Sequence, residues 1–361
     1  MLFLGAGASA PFGPPTMQEL TVACEGILRE RGFSDTTLSK IKDSLRGFGL
    51  VPDFEALLTI LQSFALPERE VRAAGPLTAY LAHSLSDWIP PLKEPAQDVV
   101  ELKRLLTEKC SKVKMDDATR HYDGLFSILG EIKSIPYAAR AHASLQGGAF
   151  LQSRGINVRT QDIFTTNYDI IIEQYFDCEG MRESLRTGFI HQAVRSIWNP
   201  KESYVWDDQR SRSTNLVKLH GSIDQFITTA GIEKRQAPPS QGYYASEMLE
   251  EMMIFPVHEK YATRSPYFDL FSLLRERLSH EPVCIVIGFS FRDEAVNNAF
   301  IDAINTNRNL KLIYVGSERA NENIQRIPQI AKRTKVIPLS FGVHDECINQ
   351  IKSALETWYP T

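Results

Sequence analysis

The chain lacks any pair of closely spaced cysteines. Its five, Cys24, Cys110, Cys178, Cys284 and Cys347, lie more than sixty residues from one another, which argues against a zinc site and against a disulfide framework. They read as the reduced thiols of a cytoplasmic protein. The chain also lacks an excess of either charge: 40 Lys and Arg stand against 44 Asp and Glu, a net charge of −4. Without a basic field to draw it onto a phosphate backbone, direct nucleic-acid binding is not expected. No apolar run approaches the roughly 20 residues that a bilayer span needs, so no membrane association is expected. Met1-Leu2-Phe3-Leu4 and the following Ala8-Ser9-Ala10 imitate a signal peptide in outline, but a charged start and a long apolar segment are missing. There is no internal repeat and no low-complexity tail.

What is present suits a globular fold. With 361 residues and 43% hydrophobic content, the chain can bury a sizeable core in one large domain or two ordinary ones. Short apolar runs rich in β-branched residues occur at 1–4, 162–166, 215–220, 283–288 and 311–315, with a sixth at 335–339. Runs of this kind suit strands of a parallel sheet buried on both faces. Between the first and second lie about 150 residues of helical pattern. Thr16-Met17-Gln18-Glu19 has the form of a capping box, and Leu20, Ala23, Ile27 and Leu28 follow at helical spacing until Gly32. Asp53 is a candidate cap for a helix presenting Phe54, Leu57, Leu58 and Leu61. Further helices are expected over 75–88, 96–109 and 121–144, and an irregular surface excursion over 225–248.

Five segments place small or polar residues directly after a strand, where α/β folds hold their ligands. Gly5-Ala6-Gly7-Ala8-Ser9-Ala10 fits a loop that lets a pyrophosphate approach backbone N–H groups; the alternative is a glycine-rich turn with no ligand. Ile163-Phe164-Thr165-Thr166-Asn167-Tyr168-Asp169 delivers a polar cluster, in which Asp169 is otherwise a cap for the helix that follows and Asn167 a turn residue. Leu216-Val217-Lys218-Leu219-His220-Gly221-Ser222 ends in a histidine placed for general-base work. Cys284-Ile285-Val286-Ile287-Gly288-Phe289-Ser290-Phe291-Arg292-Asp293 offers Gly288 and Ser290 to a ribose or phosphate, and Lys311–Val315 with Gly316-Ser317 repeats the pattern.

Together these segments resemble the sirtuin family. Gly5–Ser9 is similar to its first motif, Thr165–Asp169 to its Thr-Gln-Asn-x-Asp motif, Leu219-His220-Gly221 to its catalytic histidine and Gly288-Phe289-Ser290 to its ribose-contacting Gly-Thr-Ser. The resemblance spans about 1–20 and 155–320. It departs in two places: no cysteine lies between His220 and Cys284, where the deacylases carry a zinc module, and Gly13-Pro14-Pro15-Thr16-Met17-Gln18 stands where they have Gly-Ile-Pro-Asp-Phe-Arg. It is therefore nearer to the zinc-free, sirtuin-like effectors of bacterial anti-phage defence, with Asp53-Phe54-Glu55 and Gly288–Asp293 also similar to that branch.

The resemblance implies an α/β fold, a Rossmann-like parallel sheet without a zinc module. The NAD-binding domain is expected over 1–30 and 155–361, with a helical insertion over 31–154 for oligomer or partner contacts. It implies NAD+ as substrate, cleaved to nicotinamide and ADP-ribose. Asn167, His220 and Asp169 are the expected catalytic residues. Gly5, Ala6, Gly7, Ser9, Met17, Thr165, Asn167, Asp169, Gly288, Phe289, Ser290 and Gly316 are the expected binding residues, and no metal is expected. A homo-oligomer working with a HerA-type ATPase or another phage-sensing protein is the implied setting. The alternatives are an NAD-dependent protein deacylase and a sensor that binds NAD or ADP-ribose without turnover.

Overall fold

The computed structural model describes residues 1–47, 49–65, 95–133, 161–192, 195–204, 213–228, 231–235, 250–253, 266–339 and 344–358. Its strands are β1 Leu2–Leu4, β2 Gln161–Thr165, β3 Leu185–Arg186, β4 Phe189–Gln192, β5 Arg195–Trp198, β6 Thr214–Lys218, β7 Gly221–Thr228, β8 Gly231–Lys234, β9 Glu250–Met253, β10 Val283–Ile287, β11 Lys311–Gly316 and β12 Thr334–Pro338. The helices used below are α1 Ala6–Ser9, α2 Met17–Glu30, α3 Asp35–Gly47, α4 Phe54–Ala65, α5 Pro95–Ser111, α6 Met115–Lys133, α7 Ile171–Cys178, α8 Tyr267–His280, α9 Glu294–Thr306, α10 Glu318–Gln325 and α11 Asp345–Trp358.

Seven strands form one sheet in the order β12-β11-β10-β1-β2-β6-β3, and every pairing in it is parallel. Six of its strands coincide with the six apolar runs; β1, β6, β10 and β11 are buried almost throughout, whereas β12, at the sheet's edge, buries only Ile337. Alternation decides which face a residue serves. Leu2, Leu4, Ile163, Leu216, Ile285, Ile287, Ile313 and Val315 pack under α6, α7 and α11, whereas Phe3, Phe164, Val217, Cys284, Val286, Leu312 and Tyr314 pack under α8, α9 and α10. Each large apolar side chain so enclosed contributes about 1.5–3 kcal/mol.

β1 leads into β2 on one side, and the chain later returns to β1's other side with β10. The strand order therefore reverses between β1 and β10, and the carboxyl ends of these two strands are where open α/β sheets of this kind hold their ligands. A second, antiparallel sheet runs β4-β5-β8-β7-β9. This corrects the irregular excursion expected from residue 225, since β7 extends to Thr228 and all of β8 follows. Its strands were hidden because they bury polar groups: Ser222, Asp224, Gln225 and Glu233 are all enclosed.

The helical pattern between β1 and β2 supplies two different layers. α2, α3, α4 and α5 share a hydrophobic cluster with Tyr168, Ile223 and Met253. α6 packs on the sheet through Ala118, Tyr122, Leu125 and Ile128. The capping box is formed: Thr16 Oγ1 accepts from Glu19 N–H, and Glu19 accepts from Thr16 N–H at 2.7 Å. The helix expected over 75–88 and the end of that over 121–144 lie outside the described residues. Among the described residues no helix is long and apolar enough to cross a membrane.

Candidate functional site

At the switch point three glycines interlock. Gly5 N–H donates to Ile287 O at 2.9 Å and Gly7 N–H to Gly288 O at 3.0 Å. A Cβ on Gly5 would stand 2.5 Å from Phe289 Cα, and one on Gly288, whose φ is +66°, would stand 2.2 Å from Ala8 N. The small residues thus let two loops touch backbone to backbone. Gly5, Gly7 and Ala8 spend their N–H groups inside the protein. Among the described residues the N–H of Ala6, at the start of α1, makes no such bond.

Asn167 is fastened to this loop. Thr165 Oγ1 donates to Leu4 O and accepts from Asn167 N–H, each at 3.0 Å, so the turn after β2 is clipped to the end of β1. Asn167 Nδ2 then donates to Gly5 O and to Ser9 Oγ, both at 3.0 Å. Its Oδ1 is buried and has no hydrogen-bond partner among the described residues. An orphaned amide oxygen in an enclosed site costs about 1–3 kcal/mol, a penalty that a donor on a ligand removes. Asp169 is buried as well. Its Oδ1 accepts from Ile171 N–H at 3.1 Å, at the start of α7, and Lys218 Nζ donates to its backbone carbonyl. Burial pushes the Asp169 carboxyl up, opposed by the Lys218 charge and a Ser9 hydrogen bond.

His220 occupies the turn that hands the chain from the parallel sheet to the antiparallel one, with Gly221 at φ +80° making that turn. Its Nε2 lies 2.7 Å from Asp293 Oδ2. A carboxylate only accepts, so Nε2 carries the proton and Nδ1 is left as the basic nitrogen. Burial lowers the affinity of the ring for a second proton, but the Asp293 hydrogen bond and charge, with the Glu55 charge, outweigh it and hold the pKa above the ordinary 6.5. Asp293 is held below the ordinary carboxylate range: burial opposes ionisation, and the His220 hydrogen bond and charge prevail.

This pairing needs the loop after β10 to cross the sheet. Strands lie about 4.8 Å apart, and β10 and β6 have β1 and β2 between them. Phe291 makes the reach possible by adopting φ +53°, a left-handed conformation unfavourable for a bulky residue. Its ring is anchored edge-on to Phe289 at 5.0 Å and to Tyr314 at 5.5 Å, and Asn297 Nδ2 donates to its carbonyl at 3.0 Å. The next two residues gain their positions from this strain: Arg292 reaches Asp53 at 3.3 Å and Asp293 reaches His220.

The helical cluster supplies the remaining wall. Asp53 accepts from Ala56 N–H at 3.2 Å and so starts α4, as its position in the sequence suggests. Glu55 Oε1 accepts from the Tyr168 hydroxyl at 2.8 Å, and the Tyr168 ring lies 6.4 Å from that of His220. Beneath the site a buried ionic network joins strand to helix: Lys218 lies 3.2 Å from Glu173 and 2.8 Å from Ser222 Oγ, and Lys234 bridges Glu173 and Asp224.

Of the expected residues, Gly5, Ala6, Gly7, Ser9, Thr165, Asn167 and Gly288 meet at one edge, linked by the bonds above. Phe289 offers only backbone, since its ring is buried edge-on to Phe3 at 5.0 Å. Met17 packs on the helical cluster. Ser290 Oγ accepts from Arg292 at 3.2 Å, and a Cβ on Gly316 would fall 2.1 Å from the Tyr314 hydroxyl, which explains glycine there by packing. Asp293, Glu55, Tyr168 and the Asp53–Arg292 pair were not among the expected site residues. Among the described residues no group of three or more His, Cys, Asp or Glu side chains is placed to hold a metal.

No curated protein matches the sequence. Among solved structures, a Sir2 homologue–NAD complex shares 16% identity over 98% of this chain and 90% of its own, with a TM-score of 0.41. A mutant Sir2 homologue in complex with 2′-O-acetyl ADP ribose shares 15% identity over 100% and 92%, with a TM-score of 0.42. Residues 161–339 match the family model of the SIR2-like domain, which supports a sirtuin-like family for the span that carries Asn167, His220 and Gly288–Asp293.

Proposed function

We propose that the protein is an NAD+ glycohydrolase, releasing nicotinamide and ADP-ribose. What supports this reading is that a glycine loop fastened to an asparagine with an unsatisfied buried oxygen and a histidine–aspartate pair follow the carboxyl ends of the neighbouring strands β10, β1, β2 and β6. Breaking the bond leaves positive charge on the ribose, while its electron pair returns to the pyridine nitrogen, so the leaving group needs no proton. The residues present fit the substrate: Ala6 N–H has no hydrogen-bond partner among the described residues and suits a phosphate oxygen, and Asn167 Oδ1, equally unpartnered, suits a ribose hydroxyl or the attacking water. His220 Nδ1 accepts the proton that water loses as its oxygen bonds to the anomeric carbon, and Asp293 stabilises the imidazolium. Asp169 acts from beneath, by holding Ser9 and the turn. In this reading Gly316, Ser290 and the Phe289 backbone line the far side.

The zinc-free branch is supported by the thiols themselves. No two of Cys24, Cys110, Cys178, Cys284 and Cys347 lie within sixty residues of each other, so the sequence offers none of the Cys-x-x-Cys pairs that a zinc module of the deacylase kind uses. By resemblance, the setting is anti-phage defence in the cytoplasm, with a homo-oligomer and a HerA-type ATPase or other sensor restraining an activity that would otherwise exhaust NAD. Residues of the 31–154 segment are the proposed contacts.

The test is chromatography of NAD incubated with the protein, alone and with the product of its neighbouring gene, with and without an acetyl-lysine peptide. Free ADP-ribose and nicotinamide without peptide are expected. O-acetyl-ADP-ribose formed only with peptide would instead identify a deacylase, and binding without nicotinamide release a sensor.

A further inference from the structure

Glu55 is a carboxylate for which the fold offers no simple reason. It sits in the first turn of α4, yet its side chain leaves the helix to meet Tyr168, 113 residues away in sequence. The Tyr168 ring whose hydroxyl holds it lies 6.4 Å from the His220 ring, and Asp53, two residues before it, lies 3.3 Å from Arg292 on the loop that carries Asp293. Among the described residues it is paired with no lysine or arginine, and the charges that act on it are those of Asp53, Asp293 and His220, with Arg292 reached through Asp53. Two of these carry the same sign. If its task were only to receive the Tyr168 hydroxyl, a glutamine would serve without placing a charge in an enclosed, already acidic corner. The arrangement gains a purpose when positive charge appears beside it, as when His220 takes a proton.

We propose that Glu55 is a positioning residue of the reaction: held by Tyr168, its carboxylate stabilises protonated His220 as the attacking water is deprotonated, alongside Asp293. The inference rests on the NAD-cleaving reading above. It makes the helical cluster part of the catalytic apparatus, since α4 brings Glu55 and Asp53 to the loops of the sheet. Burial and the Asp53 charge push Glu55 up to about 7, against the His220 charge and the Tyr168 hydrogen bond, so it and His220 titrate as a linked pair.

Glu55→Gln keeps the shape and an oxygen for the Tyr168 hydroxyl while removing the charge. The expected result is a kcat about 10–100-fold lower with the KM for NAD within about 3-fold, and loss of one ionisation from the pH profile. Tyr168→Phe, which leaves the charge in place, should lose less. Independently of turnover, NMR titration of the His220 ring in the full chain without NAD should move to lower pH in Glu55→Gln. An unmoved titration overturns the proposal whether or not the parent protein cleaves NAD. A moved titration with unchanged kcat overturns it as well. A moved titration in a protein that never releases nicotinamide supports the coupling and sinks the glycohydrolase reading instead.

Discussion

Replacing Gly288 by alanine tests how the switch point is built. The position has φ +66°, where a side chain costs about 1–2 kcal/mol. The added Cβ would also lie 2.2 Å from Ala8 N and 2.4 Å from Gly7 C, where ordinary contact begins at 3.4 Å. Both neighbours are backbone, so the glycine loop and the β10 loop must separate by about 1 Å, breaking the Gly7–Gly288 hydrogen bond at a further cost of about 1 kcal/mol. The total is about 3 kcal/mol. At about 2.1 cal/mol/K per residue, a 361-residue chain unfolds with an entropy of about 0.8 kcal/mol/K, so Tm should fall by about 4 °C. Function should suffer more, because a 1 Å displacement of a positioned group costs about 100-fold in rate. Differential scanning fluorimetry and NAD turnover measure the two. Gly26→Ala is the control: nothing lies within 4 Å of a Cβ there, in the interior of α2, and a gain of about 0.5–1 kcal/mol is expected. A Gly288→Ala protein with unaltered Tm and turnover would refute the interlocked-loop account.

The other expectations concern charge. His220→Ala and Asn167→Ala should each lower NAD turnover by about 10²–10⁴-fold while leaving the far-ultraviolet circular dichroism unchanged. Because Asp293 raises the His220 pKa above 6.5, the neutral base is formed, and turnover rises, only as pH climbs through that raised value; Asp293→Asn should move this limb to lower pH and reduce its plateau, as a pH–rate series will show. Lys218→Met should destabilise by about 3–5 kcal/mol in urea unfolding, since it strips Glu173 and the Asp169 carbonyl of a buried cation. Burial opposes ionisation of Glu173, but the Lys218 and Lys234 charges draw its pKa below 4.5; the stability it lends is therefore present above pH 4.5 and lost as pH falls through the lower folded value, which acid unfolding of parent and Lys218→Met proteins will compare.

The centre of the parallel sheet was legible because its strands carry apolar residues on both faces, so that Cys284–Ile287 or Leu216–Val217 can be little else. β3, two residues long, leaves no pattern to read. The antiparallel sheet has a chemical reason for being illegible: Asp224, Gln225 and Glu233 are buried, Asp224 paired with Lys234 and Glu233 with Arg235, and a hydropathy pattern scores such residues as loop. α3 carries Leu38, Ile41 and Leu45 at helical spacing, a stripe of only three residues among polar ones and so faint in the sequence. Within the site, Asn167 and His220 were legible as polar residues at strand ends. Asp293 was visible as a charge after Ser290, but its partner depends on the positive φ of Phe291 and on a loop crossing β1 and β2, neither of which is written locally. Glu55 was further hidden, because only tertiary packing of α4 brings it to Tyr168.

In the proposed reaction Asn167 and His220 serve one sugar carbon beside the Gly5–Ser9 turn. A crystal structure of the full chain soaked with ADP-ribose tests it most directly. The pyrophosphate is expected at Ala6, with the terminal ribose between Asn167 Oδ1 and His220 Nδ1. A ribose touching neither side chain, or a nucleotide seated away from the β1–β10 switch point, would contradict it.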